Sequence, residues 1–478
     1  MNKLADINAL IDDGVSDKTL PLSMLPESCS TNTFQLGSNR TSKKSIRQLE
    51  CFAKWDAIDV WTFEEWQWTT LSPVLERGGR RNVKHLIIRD EVPLPFTDDS
   101  RYSSDAHTLI QGGFSTVSKV HIHPANHRFQ GPENVHNDHF AVKCLSSRTR
   151  QDFKQEVDML MTYSGDTHPH LISLLATYEQ YQMFYLIFPW AEADLQCYLE
   201  RINPHPKMDY PTVQWLAQQC HGFASGLCQL HRHQTTYVSN AWSDNETKSS
   251  ETHEIGRTTQ VQLYGRHGDI KLQNILWFCD PKKSGDRGVL KITDFGLAEF
   301  KTSPARLYRG ASRMKFSPPY QPPECNTPGG RVGQSHDIWS LGCLYLELIA
   351  WLLGGWELVK SFQSARESTD PEYYAKAING TFFTIIPGGG DGLGVAVVKP
   401  AVKQFIDSLH SHAACSEYLH KFLDLIETDM LIIKSTNPIE MRRIGIPELN
   451  VQLGALYRQV CGDATFATTA ATRNLQDT

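Results

Sequence analysis

Residues 267–276 read HGDIKLQNIL, and residues 294–296, which begin twenty positions after Asn274, read DFG. Two carboxylates (Asp269 and Asp294), one amine (Lys271) and the amide of Asn274 therefore occur in two short stretches bordered by apolar, strand-like residues. Phosphoryl transfer from a nucleotide requires such a set. One carboxylate orients the attacking hydroxyl, the second carboxylate and the amide hold Mg²⁺, and the amine neutralises the phosphoryl group. The two motifs, in this order and at this spacing, predict that chemistry.

The motifs resemble the catalytic loop and the metal-binding loop of the eukaryotic protein kinase family. The resemblance implies an α+β, bilobal protein kinase fold, with a small, mostly β N-lobe that contains one key helix and a large, mostly α C-lobe. It implies that Asp269 orients the substrate hydroxyl or accepts its proton, and that Lys271 steadies the γ-phosphate of ATP. Asn274 and Asp294 are then the residues that hold Mg²⁺.

The composition is that of a chain with a sizeable core. Of 478 residues, 40% are hydrophobic, and 47 Lys and Arg against 53 Asp and Glu give a net charge of −6. This balance argues against nucleic acid or an anionic membrane as the main partner. The 11 cysteines include no CxxC pair, which predicts a reduced intracellular protein, cytoplasmic or nuclear. The N-terminus shows no secretory signal, so we expect a protein that is not secreted.

The longest apolar run covers residues 341–359 and is long enough to span a bilayer. It contains Glu347 and Glu357, and Gly354-Gly355 interrupts it. A charge in the middle of a membrane span is costly. The run therefore predicts a buried helix and no membrane span.

The first 99 residues divide into two segments. Residues 1–48 are rich in Ser, Asn, Asp and Lys, which predicts a disordered tail with a transient helix at residues 4–11. Residues 49–99 are predicted to form a Trp-rich helical extension and a lead-in strand. The strand, at residues 92–96 (VPLPF), resembles the segment before the kinase domain in many fungal proteins.

Aromatic residues recur at helical spacing between residues 52 and 71 of this extension. Thr62 and Glu65 fit a capping box, which predicts that a helix begins there. So many aromatic side chains require burial. Two interpretations stay open: a helix docked in cis on the main domain, or a helix that binds a partner.

Residues 109–117, LIQGGFSTV, resemble the glycine-rich loop of kinases. Gly112 and Gly113 would let backbone N–H groups approach the phosphates closely, and Val117 follows on the next strand. Ile110 and Ser115 stand where the family has glycine, a departure that we expect to weaken nucleotide affinity.

Residues 140–143, FAVK, resemble the strand whose lysine grips the α- and β-phosphates. That lysine is Lys143, and Ala141 is a further expected nucleotide contact. Glu156, on a helix predicted over residues 151–163, is the expected ion-pair partner of Lys143.

Residues 185–191, YLIFPWA, predict a buried strand that enters a hinge at about residues 188–191. Phe188 is the expected gatekeeper beside the adenine. Trp190 and Ala191 are expected to offer hinge contacts, and Leu276, after the catalytic loop, completes the expected nucleotide site.

The expected C-lobe begins with a helix at Asp194 and Leu195. Apolar residues at helical spacing predict a second helix over residues 212–231. Residues 232–264 are polar and without pattern, which predicts a disordered insertion. Residues 276–278 and 289–292 predict a hairpin that leads into Asp294.

Two later stretches also resemble the family: residues 317–324, SPPYQPPE, match the end of the activation segment, and residues 337–343, DIWSLGC, match the start of the buried central helix. A late arginine is expected to bridge Glu324, with Arg443 favoured over Arg442. The residues with expected structural roles are His267, Phe295, Glu324, Asp337 and Arg443. The kinase domain is thus expected at residues 100–462, with its N-lobe at 100–187 and its C-lobe at 192–462, and a tail at 463–478.

The resemblance implies transfer of phosphate to Ser or Thr hydroxyls of protein substrates, because tyrosine kinases usually differ at the positions of Lys271 and Ser317. Gly268 replaces the arginine that usually precedes the catalytic aspartate, so no side chain there binds an activation-loop phosphate. A pseudokinase scaffold is kept as the alternative, since the glycine loop departs from the family pattern and the insertion is large. A small-molecule kinase is disfavoured, because the Pro-Pro-Glu and Asp-Ile-Trp-Ser-Leu-Gly stretches are present.

Overall fold

The structure is a computed structural model that describes residues 6–25, 35–39, 46–77, 83–100, 109–111, 115–129, 139–145, 153, 157, 160, 168–237, 259–279, 285, 287–295, 299–301, 309–310, 318–326, 330–369, 378–386, 395–433 and 442–473. The chain divides into two units. The first comprises Met1–Lys154 and Leu174–Trp190, and the second comprises Gln155–Ser173 and Ala191–Thr478. One of the three breaks between the units falls between Trp190 and Ala191, within the range where the sequence predicts a hinge.

The first unit is mostly β. In its described part the α-helices are α1 Ile7–Asp12 and α2 Ala57–Gln67. The strands are β1 Ser23–Met24, β2 Leu36–Asn39, β3 Ile46–Gln48, β4 Leu75–Glu76, β5 His85–Ile87, β6 Phe96–Asp99, β7 Leu109–Gln111, β8 Ser115–Ile122, β9 His127–Arg128, β10 His139–Leu145, β11 Ala176–Gln180 and β12 Met183–Pro189.

A seven-stranded sheet dominates this unit, in the order β5-β11-β12-β10-β8-β6, with β7 also paired to β8. Its strands are antiparallel to their neighbours except β5, which runs parallel to β11. The alternating residues of β10 bury Phe140 and Val142 against Val120, Tyr178 and Ile187. Because β5 and β6 come from before residue 100, the sheet begins earlier in the chain than the predicted domain boundary.

The N-terminal segment is ordered in its described parts, so the disordered tail predicted for residues 1–48 is wrong there. β1, β2 and β3 form a small antiparallel sheet. Leu22 and Leu36 are buried in a cluster with Trp55 and Val60. Gln67 adds a polar tie, because its Oε1 accepts from Leu22 N at 2.6 Å and its Nε2 donates to Leu22 O at 3.0 Å. Burial of isolated leucines offsets the entropy lost by ordering this polar segment.

Helix α2 begins earlier than the predicted capping box. Asp56 is its N-cap, and the Asp56 carboxylate accepts from Asp59 N at 2.8 Å. Thr62 lies inside the helix and donates its hydroxyl to Ile58 O at 2.6 Å. The capping-box prediction is therefore wrong, because an aspartate one and a half turns earlier supplies the cap.

The aromatic side chains of the extension are partly buried in cis and partly exposed. The members of the mutual edge-to-face cluster are Phe52, Trp55 and Phe63. Trp68 packs against the core of the large sheet, and the Arg89 guanidinium lies 4.1 Å from its ring centre. Trp61 and Trp66 remain 48% and 59% exposed. The cluster of Phe52, Trp55 and Phe63 packs with residues of the N-terminal segment, and both docking of this segment on the main domain and binding of a partner stay predictions.

The second unit is mostly helical. In its described part the α-helices are α3 Leu195–Cys197, α4 Tyr210–His231, α5 Ser335–Arg366, α6 Pro400–His410, α7 Glu417–Leu425, α8 Ile446–Gly462 and α9 Ala464–Thr468, and π-helical turns follow α3 (Tyr198–Ile202) and α7 (Ile426–Met430). The strands are β13 Ala193–Asp194, β14 His233–Tyr237, β15 Thr259–Arg266, β16 Ile275–Phe278, β17 Val289–Ile292, β18 Glu299–Lys301, β19 Arg309–Gly310, β20 Arg331–Val332, β21 Ser368–Thr369, β22 Ile378–Asn379, β23 Phe383–Ile386 and β24 Val395–Val398.

Helix α5 forms the centre of this unit. Among the described residues it alone is long and apolar enough to cross a membrane, but 89% of its most apolar window is buried inside the protein. This agrees with the predicted buried helix. The helix bends at Gly355, whose φ of 70° favours glycine and whose Cβ, if present, would lie 2.5 Å from Pro204 O.

Regular elements occur in the insertion that was predicted to be disordered and at the start of the expected C-terminal tail. The insertion predicted over residues 232–264 begins and ends in β14 and β15, which pair antiparallel, while residues 238–258 lie outside the described part. Val261 and Leu263 alternate with glutamines, which is a strand pattern. The polar composition of the surrounding residues outweighed this signal in the prediction. The predicted polar tail begins with α9, whose Phe466 and Ala467 are buried. The predicted disorder of the insertion is therefore wrong at its described ends, because strand pairing overrides polar composition.

Candidate active site

The catalytic loop follows β15 and is held at its start by Asp337, in the first turn of α5. The Oδ2 and Oδ1 atoms of Asp337 accept hydrogen bonds from His267 N and Gly268 N, both at 2.8 Å. Oδ2 also accepts from His231 Nε2 at 2.8 Å. Gly268 has a φ of 85°, in the region that favours glycine. A buried carboxylate of the core helix therefore fixes the backbone that enters the loop.

Asp337 stays ionised despite full burial. Burial by itself raises the pKa of a carboxyl group, but the hydrogen bond from His231 and the nearby His336 ring hold the pKa of Asp337 well below its usual range. The ionised carboxylate of Asp337 therefore makes charge-assisted hydrogen bonds to the loop backbone, which are stronger than those of a neutral acceptor.

Three predicted site residues of the loop contact one another directly. Asn274 Nδ2 donates to Asp269 Oδ2 at 2.7 Å and to Asp269 O at 2.8 Å. Lys271 Nζ lies 2.8 Å from the same Oδ2 atom. Asp269 is buried and the Lys271 side chain is 23% exposed. The carboxylate is therefore held in one orientation by an amide and a cation.

His267 links this loop to the segment that precedes Asp294. Its Nε2 donates to Thr293 O at 3.0 Å, and its Nδ1 accepts from Asp269 N at 3.2 Å. Thr293 N also donates to Asn274 O at 2.9 Å. The His267 ring lies 5.1 Å from the ring of Phe295, which is buried. The two motifs are thus joined through backbone and imidazole groups.

The first unit gathers four other predicted residues on one face of its sheet. In the strand register Lys143 is opposite Val117, and Ala141 is opposite Phe188. Directly opposed residues and alternate residues of one strand share a face, so these four side chains point to the same side. Gly112, Gly113 and Glu156 lie outside the described residues.

The remaining predicted nucleotide contacts flank the hinge. Trp190 ends the first unit, and Lys119 Nζ lies 5.1 Å from its ring centre. Ala191 begins the second unit, where Glu192 N donates to Trp277 O at 3.0 Å. Leu276 precedes Trp277 on β16, which joins β13 and β17 in a three-stranded sheet. Within the second unit, this sheet brings Ala191 and Leu276 near each other.

The end of the activation segment is tied to the C-terminal part of the chain. Arg443 Nη1 and Nη2 donate to Glu324 Oε1 and Oε2 at 2.8 Å and 3.2 Å. The same two nitrogens donate to Ser335 O and Ile432 O. The contact predicted from the sequence is present, and it involves Arg443, whereas Arg442 is exposed.

Two sequence families match the chain. The family described as Protein kinase domain matches residues 265–356, which include the catalytic loop, Asp294 and the first part of α5. The family described as Protein tyrosine and serine/threonine kinase matches residues 105–237, which include Lys143 and the hinge. Both matches support membership of the eukaryotic protein kinase superfamily. A mostly β first unit and a mostly helical second unit are consistent with the α+β bilobal kinase fold.

Similar proteins are kinases by name, and each is similar over a limited stretch. Cyclin-dependent kinase 2 of Caenorhabditis elegans is 40% identical over 82 residues, 17% of this chain and 20% of that protein. Mitogen-activated protein kinase kinase kinase 20 of Arabidopsis thaliana is 37% identical over 84 residues, which are 18% of this chain and 22% of that protein. Serine/threonine-protein kinase Nek8 of Danio rerio is 29% identical over 193 residues, which are 39% of this chain and 23% of that protein. The chain thus spans about a fifth of the length of these curated relatives. The fungal resemblance of the N-terminal part stays a prediction.

Members of the kinase superfamily in general use ATP and Mg²⁺, and the donor atoms of this site suit that cation. Both hydrogen bonds of the Asn274 amide group come from Nδ2, so its Oδ1 is the atom that it can offer to a hard cation. Asp294 adds an exposed carboxylate on a residue with a φ of 63°. Within the described part of the chain no group of three or more His, Cys, Asp or Glu side chains forms a metal site. One or two protein oxygens suffice for Mg²⁺ that also binds phosphates and water.

Sequence reasoning missed two buried polar contacts of the second unit. His231, which anchors Asp337, ends the amphipathic helix α4 and carried no signal beyond that position. Glu347, inside the apolar run, accepts hydrogen bonds from Tyr320 at 2.6 Å and Arg366 at 3.0 Å. Burial and the Glu347 carboxylate raise the pKa of Tyr320 well above its usual range. For Glu347, the only signal was a charged residue inside a long apolar run.

Proposed function

We propose that this kinase is an active protein serine/threonine kinase that transfers the γ-phosphate of ATP to hydroxyl groups of protein substrates. The observation that carries the proposal is the fixed carboxylate of Asp269, held by Asn274 Nδ2 at 2.7 Å and Lys271 Nζ at 2.8 Å. Phosphoryl transfer depends mostly on positioning and electrostatic stabilisation, so a carboxylate held in one orientation beside a cation is what the reaction requires.

In this proposal Asp269 orients the hydroxyl of the substrate and accepts its proton. Lys271, partly exposed and close to the carboxylate, balances the negative charge of the phosphoryl group in transfer. Asp337 takes no part in the reaction itself. It holds the backbone at His267 and Gly268, and through it the position of Asp269.

Nucleotide binding is assigned to residues of both lobes. Lys143 and the residues that share its sheet face, Val117, Ala141 and Phe188, form the N-lobe part. Asn274 and Asp294 would hold Mg²⁺, which, when bound, neutralises phosphate charge. Serine/threonine specificity is proposed from Lys271, and the similarity to serine/threonine-protein kinase Nek8 agrees with it.

The test is transfer of labelled γ-phosphate from Mg-ATP to a generic basic protein and to the enzyme itself. Wild type is compared with Asp269→Asn and Lys143→Met, and phosphoamino-acid analysis distinguishes Ser and Thr from Tyr. Asp407→Asn and Lys403→Met, at exposed positions of α6, are matched controls for the two changes. We expect full activity in the controls and a loss of about 100-fold or more in both site variants.

A pseudokinase scaffold is the outcome that would replace this proposal. No transfer by any variant, with ATP still raising the melting temperature of wild type but not of Lys143→Met, would indicate a scaffold that binds nucleotide. No transfer and no effect of ATP would indicate that the departures at Ile110 and Ser115 have abolished nucleotide binding.

A further inference from the structure

Helix α2 turns a face with large apolar side chains towards solvent. Ile58 is 76% exposed, and Trp61 and Trp66 are 48% and 59% exposed. Their i, i+3, i+8 spacing places the three side chains on one face of the helix. Among the tryptophans of the described part of the chain, only these two are exposed to this degree. Single exposed apolar residues are common on protein surfaces, whereas a group on one helix face is typical of an interaction site.

The opposite face of α2 is held by the N-terminal segment. The Phe63 ring packs edge-to-face against the rings of Phe52 and Trp55. At the end of the helix, the amide of Gln67 makes two hydrogen bonds with the backbone of Leu22. The exposed face therefore belongs to a helix that is already ordered. Such a helix loses little conformational entropy when a partner binds.

The charge around the exposed face is negative. Residues 55–76 contain five carboxylates and no Lys, Arg or His, and those on or next to the helix are Asp56, Asp59, Glu64 and Glu65. Glu64 Oε1 accepts from Trp68 Nε1 at 3.2 Å. Glu65 is exposed and follows Ile58 by seven residues, which places it on the apolar face. It lies near the C-terminal end of α2, where the helix dipole disfavours a carboxylate, so helix stability does not account for it.

The same segment already holds one cation against a tryptophan ring. The Arg89 guanidinium lies 4.1 Å from the ring centre of Trp68. Tryptophan is the side chain that attracts a cation over its ring most strongly. Trp61 and Trp66 offer exposed rings in a segment that is rich in carboxylates. This surface is thus suited to Lys and Arg side chains of a partner.

The negative charge also restricts the class of partner. It repels nucleic acid and the anionic surface of a membrane. A second copy of the same face would bring like charges together, which costs binding energy. A basic amphipathic helix avoids both problems, because its cations meet the carboxylates while its apolar residues cover the tryptophans.

We propose that the exposed face of α2, defined by Ile58, Trp61, Glu65 and Trp66, is a docking surface for a basic amphipathic helix of another protein. The apolar residues of that helix pack along α2, as in other pairs of packed helices. The two tryptophans supply most of the affinity, because aromatic anchors dominate interface energies. The carboxylates raise the association rate and select the partner. Docking at this face requires no phosphoryl transfer and goes beyond the proposed function.

The test measures binding of labelled peptides to the full-length protein by fluorescence anisotropy, at low and at physiological salt. The probe is a peptide of about 14 residues built from Leu and Lys, with Leu at positions i, i+3, i+4 and i+7 of a helix. One control peptide carries Glu in place of every Lys, and the other carries Ser in place of every Leu.

The protein variants are Trp61→Ser, Trp66→Ser and Glu65→Lys. Ile11→Ser is the matched control for the apolar changes, because Ile11 is 62% exposed on α1 of the same unit. Asp17→Lys, at another exposed position of that unit, is the control for the charge change.

We expect the Leu-Lys peptide to bind the wild type, and both control peptides to bind at least about 10-fold more weakly. Trp61→Ser and Trp66→Ser are each expected to weaken binding by about 5- to 30-fold, because each removes an aromatic anchor. Glu65→Lys is expected to weaken binding by about 2- to 5-fold and to reduce its dependence on salt. The two control variants are expected to keep wild-type affinity.

Equal affinity of the wild type and both tryptophan variants would overturn the proposal, and so would tighter binding of the Leu-Glu peptide. Wild-type binding to phosphatidylserine vesicles that Trp61→Ser abolishes would assign the face to a membrane instead. A concentration-dependent dimer that Trp61→Ser disrupts would assign it to a second copy. Thermal unfolding checks that each variant folds. If Trp61→Ser does not fold, Trp66→Ser and Glu65→Lys decide the question with the same peptides.

Discussion

Arg443 and Glu324 are joined by two hydrogen bonds although 119 residues separate them in the chain. Both side chains are buried, with 0% and 6% of their surface exposed. A guanidinium group donates to both oxygens of a carboxylate in this geometry, which fixes their relative orientation. The turn that ends the activation segment is thereby attached to the segment that precedes α8.

Replacement of Arg443 by Met is expected to lower the free energy of unfolding by about 3–5 kcal/mol, because Glu324 is left buried without its charged partner. Denaturant unfolding measures the change. Arg442→Met, next to it and exposed, is the control and is expected to stay within about 0.5 kcal/mol of wild type. Equal stability of the two variants would show that the pair contributes nothing.

Replacement of Asp337 by Asn is expected to cost about 1.5–3 kcal/mol of stability and to reduce phosphoryl transfer. An amide offers one acceptor oxygen where the carboxylate serves His267 N, Gly268 N and His231 Nε2. Unfolding and transfer assays on the same preparation measure both effects. Asp407→Asn, exposed on α6, serves as control, and wild-type transfer by Asp337→Asn would argue against the anchoring role.

Activity is expected not to depend on a phosphorylated activation segment. Gly268 carries no side chain that could bind a phosphate, and its φ of 85° disfavours other residues at that position. Purified enzyme is treated with a phosphatase, the phosphatase is removed, and transfer is assayed. Mass spectrometry of the peptides with Ser303, Tyr308 and Ser312 verifies the treatment. Loss of activity that returns after incubation with ATP would contradict the prediction.

Stability is expected to fall in mild acid. Burial lowers the pKa of His168 and of His170 to about 4, from an ordinary value of 6.5. Between pH 4 and pH 6.5 the folded state therefore binds fewer protons than the unfolded state. Unfolding becomes easier as the pH falls from 6.5 towards 4, by up to about 1.4 kcal/mol per pH unit for each histidine.

Urea unfolding at a series of pH values measures this slope. His168→Asn, which keeps an acceptor for the backbone N–H of His170, is expected to reduce the slope by up to about 1.4 kcal/mol per pH unit. His205→Asn, at an exposed position, is the control and is expected to leave the slope unchanged. A flat dependence for wild type between pH 4 and 6.5 would mean that the two rings are not kept neutral by burial.

The sequence was most informative where chemistry restricts both residue type and spacing. Asp269, Lys271 and Asn274 had to be close for the predicted reaction, and they make direct contacts. The partner of Glu324 was expected from the resemblance to the kinase family, and Arg443 makes that contact. Strand pairing brought Ala141 and Lys143 to one face by alternation alone.

The sequence was least informative where order depends on distant partners. Leu22 and Leu36 are isolated apolar residues in the sequence. Their burial depends on contact with Trp55 and Val60, which lie further along the chain. Asp56 and Thr62 both suit a helix N-cap, and local pattern could not decide between them. In β15 two apolar residues alternate with glutamines. This signal for a strand was weaker than the signal for a loop from the polar residues around it.

Strand β5 also has a consequence for how the protein is made and prepared. Without it, β11 would present a row of unpaired backbone groups at the edge of the sheet, a template for pairing with another chain. His85 and Thr177 are 92 residues apart, so a growing chain must complete β11 before β5 can cover it. A fragment that starts at residue 100 is therefore expected to aggregate, whereas one that starts before residue 84 keeps that edge closed.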